Sequence, residues 1–332
     1  MSCLSDDELK AILQTIPRNI ADEGRFFEDT RYFPGRRYNP VSKEVIQPHE
    51  SLRRYKQVLA QIKRIDPQRY AVMHKGTPFY IMGWLAYEMK DYESGVFYMD
   101  AALSEDIHNA SLQWMDLPAA SFLFLDATDL IAAAHEITLQ ARNEVILQLV
   151  RFSQASGQPL DANTLVDQFF KPHSIDPAYR SILTSILTFL LEGKDLRLNL
   201  ELRSSYGGTL EPFLTHLFKG GLIFESLLKR KYGANAWYTL GSYLTAASPD
   251  LQLTQQIYKR KKPYQFEELP TLLQKWQNED FQERTIATAL AVRNTAGHDL
   301  AWQDIFTDEL YLKLFESIVD AIFWTIRKAY QI

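Results

Sequence analysis

Apolar residues recur every three to four positions along most of this chain, which is the period of a helix that buries one face. Three of these segments begin after a residue suited to capping a helix, namely Thr77, Asp176 and Thr307. The side chains of Thr and Asp accept hydrogen bonds from the free N–H groups of a helix start. The second segment is predicted to stop at Gly193. Together these patterns predict a mainly α protein.

Alternation of period two, the pattern of a half-buried strand, is scarce. The best example is LRLNLELRSS (196–205), where leucine alternates with polar residues. This pattern predicts a short hairpin arm or an extended insert.

Changes in composition divide the chain into three regions. We expect an irregular N-terminal arm with a short helix (1–49), a helical-repeat region (50–160) and a helical bundle (174–332). The polar stretch SQASGQPLDAN (153–163) is the predicted boundary between the last two. The arm carries four large aromatic side chains that would be poorly placed in water, so we expect it to pack as an ordered segment: Phe26, Phe27, Tyr32 and Phe33.

One segment of the second region, 83–106, resembles a helical hairpin of the tetratricopeptide type. Gly83, Gly95 and Ala102 occupy that repeat's small-residue positions, which let two antiparallel helices approach closely. The resemblance covers a single unit, and an unrelated helical hairpin accounts for the same pattern. The hypothesis is a short, degenerate repeat array that offers a surface to a regulatory protein partner.

The composition restricts the class of protein. Of 332 residues, 46% are hydrophobic, which indicates a sizeable core, and a single cysteine excludes a disulfide within one chain. The first residues lack the profile of a signal peptide, and no apolar run is long enough to span a bilayer. We therefore expect a cytoplasmic protein without a membrane partner. The net charge of −5 provides no general basic field, so nucleic acid would have to bind through local clusters.

The motifs of most enzyme classes are absent, including the phosphate-binding loop, the zinc-binding His-Glu-x-x-His and the serine-hydrolase elbow. No metal or cofactor is expected. The exception is RNTAGH, which holds Arg293, Asn294 and His298 at the end of an apolar helical segment. This sequence resembles the HEPN superfamily, whose signature is an arginine followed by four to six residues and a histidine. A second match to the spacing, Arg69 to His74, lacks the polar residue after the arginine and is interpreted as chance.

The resemblance extends to the order of helices. HEPN domains are four- to five-helix bundles whose motif helix is followed by one last long helix. Segments 283–298 and 308–330 occupy those two places here, and 175–192 and 209–233 would be the earlier helices.

The resemblance implies a metal-independent endoribonuclease that is active as a homodimer, as in toxins and antiviral effectors. The ribose 2′-hydroxyl would attack the adjacent phosphate of single-stranded RNA. His298 would be the general acid and base, Arg293 would stabilise the charged phosphorane, and Asn294 would orient the phosphate or the imidazole. Glu225 would be an auxiliary acid facing the motif. The alternative hypothesis is a non-catalytic HEPN-type module that binds RNA, a nucleotide or a protein. A third hypothesis is a purely structural helical-repeat adaptor.

Two short basic clusters are candidates for contact with RNA. Tyr258 and Tyr264 flank the second cluster, and aromatic rings beside cations suit single-stranded RNA. An ordinary solvated loop is the commoner explanation of such a run. The candidate cations are Lys229, Arg230, Lys231, Lys259, Arg260, Lys261 and Lys262.

The last helical segment presents two adjacent apolar ridges, one running from Leu310 to Ile326 and the other from Tyr311 to Phe323. A surface of that width suits a homodimer formed through the C-terminal bundle. The other interpretation is that both ridges are buried within one chain.

Overall fold

The computed structural model describes residues 4–33, 38–39, 44–45, 47–109, 111–128, 132–202, 208–235, 238–259, 264–296 and 306–332. The chain divides into two compact units, Met1–Arg142 and Asn143–Ile332. Both units are built from helices, so the mainly α class is confirmed. The division falls earlier along the chain than the predicted boundary at 153–163.

The first unit consists of short and medium-length helices with one small β-pair, in which Tyr38 lies opposite Val45 on antiparallel strands. Its elements are α1 (Asp6–Thr15), α2 (Ile20–Glu28), β1 (Tyr38–Asn39), β2 (Glu44–Val45), α3 (Pro48–Ile65), α4 (Pro67–Val72), α5 (Gly76–Glu88), α6 (Tyr92–Asn109), a 3₁₀ turn (Ser111–Asp116) and α7 (Pro118–Leu123).

The N-terminal arm is more regular than predicted, because it holds two helices and the β-pair in place of one short helix. Its aromatic residues pack as expected. Phe26, Phe27 and Phe33 are buried, and the ring of Phe33 stacks on that of Tyr55 with centroids 4.2 Å apart. These rings anchor the arm on α3.

Helices α5 and α6 form the hairpin expected over 83–106. A Cβ on Gly83 would lie 2.9 Å from the carbonyl oxygen of Gly95, so the two backbones approach too closely for any side chain there. Lys90 adopts a positive φ of 63° in the turn between the helices. The predicted cap at Thr77 is wrong, because α5 already begins at Gly76 and Lys75 precedes it without a side-chain cap.

The second unit contains the longest helices. Its elements are α8 (Ala132–Ser156), within which the division between the units falls, α9 (Ala162–Leu165), a π-helical turn (Val166–Phe170), α10 (Lys171–His173), α11 (Pro177–Glu201), α12 (Glu211–Tyr232), α13 (Leu240–Ala247), a 3₁₀ turn (Phe266–Glu268), α14 (Leu269–Lys275), a second 3₁₀ turn (Trp276–Asn278), α15 (Phe281–Ala296) and α16 (Asp308–Ala329).

Four of these helices, α11, α12, α15 and α16, pack together as a bundle. Two of the predicted caps that start them are confirmed: the Asp176 side chain accepts from the N–H of Ala178, and the Thr307 side chain accepts from that of Leu310. The predicted stop at Gly193 is wrong. Gly193 lies inside α11, where a Cβ would lie 2.6 Å from the ring of Phe315, so this glycine permits close packing.

The strand pattern at 196–205 was also misleading, because α11 continues to Glu201. Leu, Arg and Glu are good helix formers, and an ion pair between Arg197 and Glu201 joins successive turns. Leu200 is buried, whereas Leu198 is 53% exposed. The alternating leucines therefore lie on a largely solvent-facing helix end.

Helix α16 is the centre of this unit. Both of its apolar ridges are buried against the unit's other helices, including α11, α12 and α15. Arg151 on α8 makes a two-pronged ion pair with Asp320, with N–O distances of 2.7 and 3.1 Å. The interpretation of the ridges as a dimer surface is wrong, since a single chain already covers them.

The described helices were compared with the length and hydrophobicity of membrane-spanning helices. None of them has both the length and the apolar character that crossing a bilayer requires.

Candidate functional site

Arg293 and Asn294 lie on the last turn of helix α15. The Nε of Arg293 donates to Oε2 of Glu225 over 2.7 Å, and its Nη1 donates to Oδ1 of Asn294 over 3.4 Å. The Arg293 side chain is 30% exposed. Glu225 therefore lies against Arg293, and its role as an auxiliary acid stays a prediction.

Glu225 is a buried carboxylate that holds two cations. Its second oxygen, Oε1, lies 2.6 Å from Nζ of Lys229, one turn further along α12. Because two positive groups share one negative group, the cluster of Glu225, Lys229 and Arg293 has an excess positive charge. A buried carboxylate needs such partners, since an unpaired charge in the interior is costly.

The position of Arg293 depends on a glycine of α12. A Cβ on Gly221 would lie 2.7 Å from Cβ of Arg293 and 3.1 Å from its Cα. The backbone of α15 therefore rests directly on α12 at this point. Gly221 and Glu225 are four residues apart and share one face of α12.

Arg293 and Asn294 open onto a cavity of about 760 Å³, a volume within the range of small-molecule sites. The first turn of α13 and the segment around Tyr258 form the rest of its wall. The lining residues are Glu225, Tyr238, Thr239, Leu240, Gly241, Ser242, Thr245, Tyr258, Lys259, Tyr264, Leu290, Arg293 and Asn294.

The candidate cations separate into two groups. Lys259 lines the cavity, and Lys229 pairs with the carboxylate behind it. Arg230 and Lys231 do not line it. Arg230 pairs with Asp176 and lies over the ring of Tyr179, and Lys231 lies over that of Tyr330.

Several of the predicted site residues lie outside the described part of the chain. These are His298, Arg260, Lys261 and Lys262. The proposed pairing of His298 with Arg293 therefore stays a prediction.

Of the remaining histidines, His216 is fully engaged in the core. Its Nε2 donates to the carbonyl oxygen of Phe189 over 2.8 Å, and its Nδ1 accepts from the hydroxyl of Tyr311 over 3.0 Å. Burial lowers the pKa of His216 to about 3. This imidazole is neutral at physiological pH and has a structural role.

The second match to the arginine–histidine spacing is also structural. Arg69 pairs with Glu23 over 2.9 Å, and His74 pairs with Asp106 over 3.0 Å. All four side chains are buried. The first pair joins α2 to α4, and the second joins the segment between α4 and α5 to α6.

The cavity wall and the contact surface of Arg293 include residues that the sequence did not indicate. Tyr238 and Thr239 lie in a segment with no motif, and Gly221 lies within an apolar helix pattern. Tyr258 and Tyr264 flank a basic run, and both rings are buried. For Gly221, the signal in the sequence was the pair of adjacent glycines in α12, because small residues on a helix allow a second helix to approach closely.

Within the described residues, no group of three or more His, Cys, Asp or Glu side chains is arranged to hold a metal ion. Comparison with protein-family models, with curated proteins and with solved structures finds no match to this chain.

Proposed function

We propose that the protein is a metal-independent endoribonuclease of the HEPN type that cleaves single-stranded RNA and acts as a toxin or defence effector. The observation that carries the proposal is the placement of Arg293 and Asn294 at the wall of a cavity, with Arg293 held by Glu225. The four packed helices α11, α12, α15 and α16, with the motif on the third, are consistent with the bundle that the resemblance implies.

The ion pair with Glu225 prepares Arg293 for a phosphate. Glu225 accepts from Nε and fixes the direction of the guanidinium, and Nη1 donates to Asn294, so Nη2 is left for a second anion. Lys229 neutralises part of the charge of Glu225, so the arginine keeps an excess positive charge. A planar guanidinium held in this way is suited to the equatorial oxygens of a phosphorane.

The proposed reaction is an internal transfer. His298 takes the proton of the ribose 2′-hydroxyl, the 2′ oxygen forms a bond to phosphorus, and the bond from phosphorus to the 5′ oxygen breaks. The 5′ oxygen receives a proton from an imidazolium, and the products are a 2′,3′-cyclic phosphate and a 5′-hydroxyl. Histidine suits both transfers because its pKa lies near neutrality.

The proposed active form is a homodimer. Because α16 is buried within one chain, the dimer would use the surface around the end of α15. Two motif helices facing each other across a two-fold axis would place both arginine–histidine pairs in one cleft.

The test is cleavage of an unstructured RNA by the purified full-length protein in EDTA. Arg293→Ala and His298→Ala are each expected to reduce the rate by at least about 100-fold, the usual contribution of such groups. Lys313→Ala, on the exposed side of α16, is the control and should cleave at the wild-type rate. The melting temperature of each variant verifies that it folds.

The result that overturns the proposal is undiminished cleavage by the Arg293→Ala/His298→Ala double variant. A second candidate function is supported by the same ion pair, since an arginine already engaged by a carboxylate also suits ligand binding without chemistry. Wild-type protein that binds RNA saturably and cleaves none of several sequences would favour that candidate.

A further inference from the structure

The first turn of α13 supplies unpaired backbone donors to the cavity beside Arg293. Thr239 caps this helix by accepting from the N–H of Ser242. No hydrogen bond to the N–H groups of Leu240 or Gly241 is found among the described residues, as is usual at a helix start. Both residues line the cavity. The positive end of the helix dipole adds to the attraction for an anion.

Gly241 leaves this approach open. A Cβ at that position would have only one neighbour within 4 Å, the Thr239 hydroxyl oxygen at 3.7 Å, so the glycine is not required by packing. With hydrogen in place of a side chain, the N–H groups of the turn can be reached closely by a phosphate oxygen.

Side-chain charge points to the same type of ligand. Two cations, Arg293 and Lys259, line the cavity with one carboxylate, Glu225, which already pairs with Arg293 and Lys229. Lys259 is exposed and makes no ion pair within the part of the chain that the structure describes. The cavity therefore has a net positive charge and two separate groups of donors.

The remaining wall is aromatic and hydroxylated. Tyr238 is 48% exposed. Its ring makes an edge contact with the ring of Tyr243, with centroids 5.4 Å apart, and this contact supports the Tyr238 ring. Tyr258 is 2% exposed, and the hydroxyls of Thr245 and Ser248 lie near its own hydroxyl, which has no hydrogen bond of normal geometry within the described residues. A flat ring with polar edges would fit this part of the wall, because bases stack on tyrosine and hydrogen-bond through their edges.

We infer that this cavity is a nucleotide subsite, in which the first turn of α13 and Lys259 hold a phosphate and Tyr238 stacks the base. The inference rests on the proposed function in one respect, namely that the nucleotide is part of an RNA strand. In that setting, the phosphate held by α13 neighbours the one that Arg293 contacts. Tyr238 is then the residue that sets base preference.

The experiment measures binding of the four nucleoside monophosphates, the four nucleosides and a short RNA to the full chain by calorimetry. A monophosphate should bind about 10- to 140-fold more tightly than its nucleoside, the gain expected from charged hydrogen bonds. Tyr238→Ala should weaken monophosphate binding by about 5- to 140-fold, whereas Tyr238→Phe keeps the ring and should bind as wild type does.

Charge is tested with a matched pair. Lys259→Gln should weaken binding of the monophosphates and leave that of the nucleosides unchanged. Lys313→Gln removes the same charge from α16 and should change neither. Tighter binding of the RNA than of any monophosphate identifies a strand as the source, and equal binding identifies a free nucleotide.

The outcomes separate this subsite from the proposed ribonuclease. Cleavage of RNA with no saturable binding of monophosphates, or with Tyr238→Ala binding as wild type does, overturns the subsite and leaves the nuclease. Monophosphate binding that depends on Tyr238 in a protein that cleaves no RNA supports the subsite and overturns the nuclease.

Discussion

Replacing Glu225 with glutamine tests how the site holds its arginine. Glutamine keeps the size of the side chain and one carbonyl oxygen but removes the charge shared by Arg293 and Lys229. The bond to Arg293 spans 2.7 Å from Nε to a buried oxygen, whereas the bond to Lys229 involves a side chain that is 41% exposed. The two partners should therefore contribute unequally.

The magnitudes follow from exposure. A hydrogen bond to a charged group contributes about 1.5–3 kcal/mol, and the 30% exposure of Arg293 places its coupling to Glu225 at the lower end, about 1.5 kcal/mol. An exposed lysine one turn away couples by only about 0.3–0.5 kcal/mol. The coupling energy with Arg293 should exceed that with Lys229 by about 1 kcal/mol.

Two double-mutant cycles measure these energies: Glu225→Gln with Arg293→Gln, and Glu225→Gln with Lys229→Gln. Hydrogen exchange followed by mass spectrometry gives the opening free energies of peptides from α12 and α15. Peptides from Met1–Arg142 provide the internal control. Equal coupling energies, or none with Arg293, would refute the idea that Glu225 positions the arginine.

Three further predictions follow from buried positions. His216, whose pKa burial lowers to about 3, stays neutral when the protein is folded but becomes protonated in the unfolded chain below about pH 6.5. As the pH falls from 6.5 to 3, its contribution to the free energy of unfolding should therefore decrease by about 1.4 kcal/mol per pH unit. Chemical denaturation at several pH values should show a shallower dependence of this free energy on pH for His216→Gln than for the wild type. Equal slopes would contradict the prediction. Gly221→Ala places a methyl 2.7 Å from Cβ of Arg293 and should lower the free energy of unfolding by about 1–3 kcal/mol in the same assay. In the control, Gly241→Ala, the methyl has room, so the free energy of unfolding should stay the same or rise by up to about 1 kcal/mol. Gly83→Ala should separate α5 from α6 at a similar cost, and an unchanged melting temperature would show that the hairpin adapts.

Much of the helical framework could be predicted from local signals. The caps at Asp176 and Thr307 were found because a short side chain and the helix it caps are adjacent in sequence. The stop at Gly193 failed for the opposite reason. Whether a glycine ends a helix or admits a neighbouring ring depends on Phe315, which is distant in sequence.

The site shows the same limit. The RNTAGH motif and its resemblance to HEPN domains indicated Arg293 and Asn294, and the same resemblance indicated Glu225. It gave no sign of Tyr238, since a residue before a short helix becomes part of a cavity only through the packing of the bundle. The ridges of α16 were visible in sequence, but which helices cover them was not.

The contact between Gly221 and Arg293 has a consequence for how related chains could be recognised. Gly221, Glu225 and Lys229 recur at intervals of four on α12, and the first two touch the arginine of α15. Gly221 and Glu225 are tied to Arg293 by close approach and by charge, and Lys229 is tied to Glu225. A chain that keeps this site should therefore carry glycine, glutamate and lysine at that spacing, from 72 to 64 residues before an Arg-Asn pair, even where its other residues have diverged.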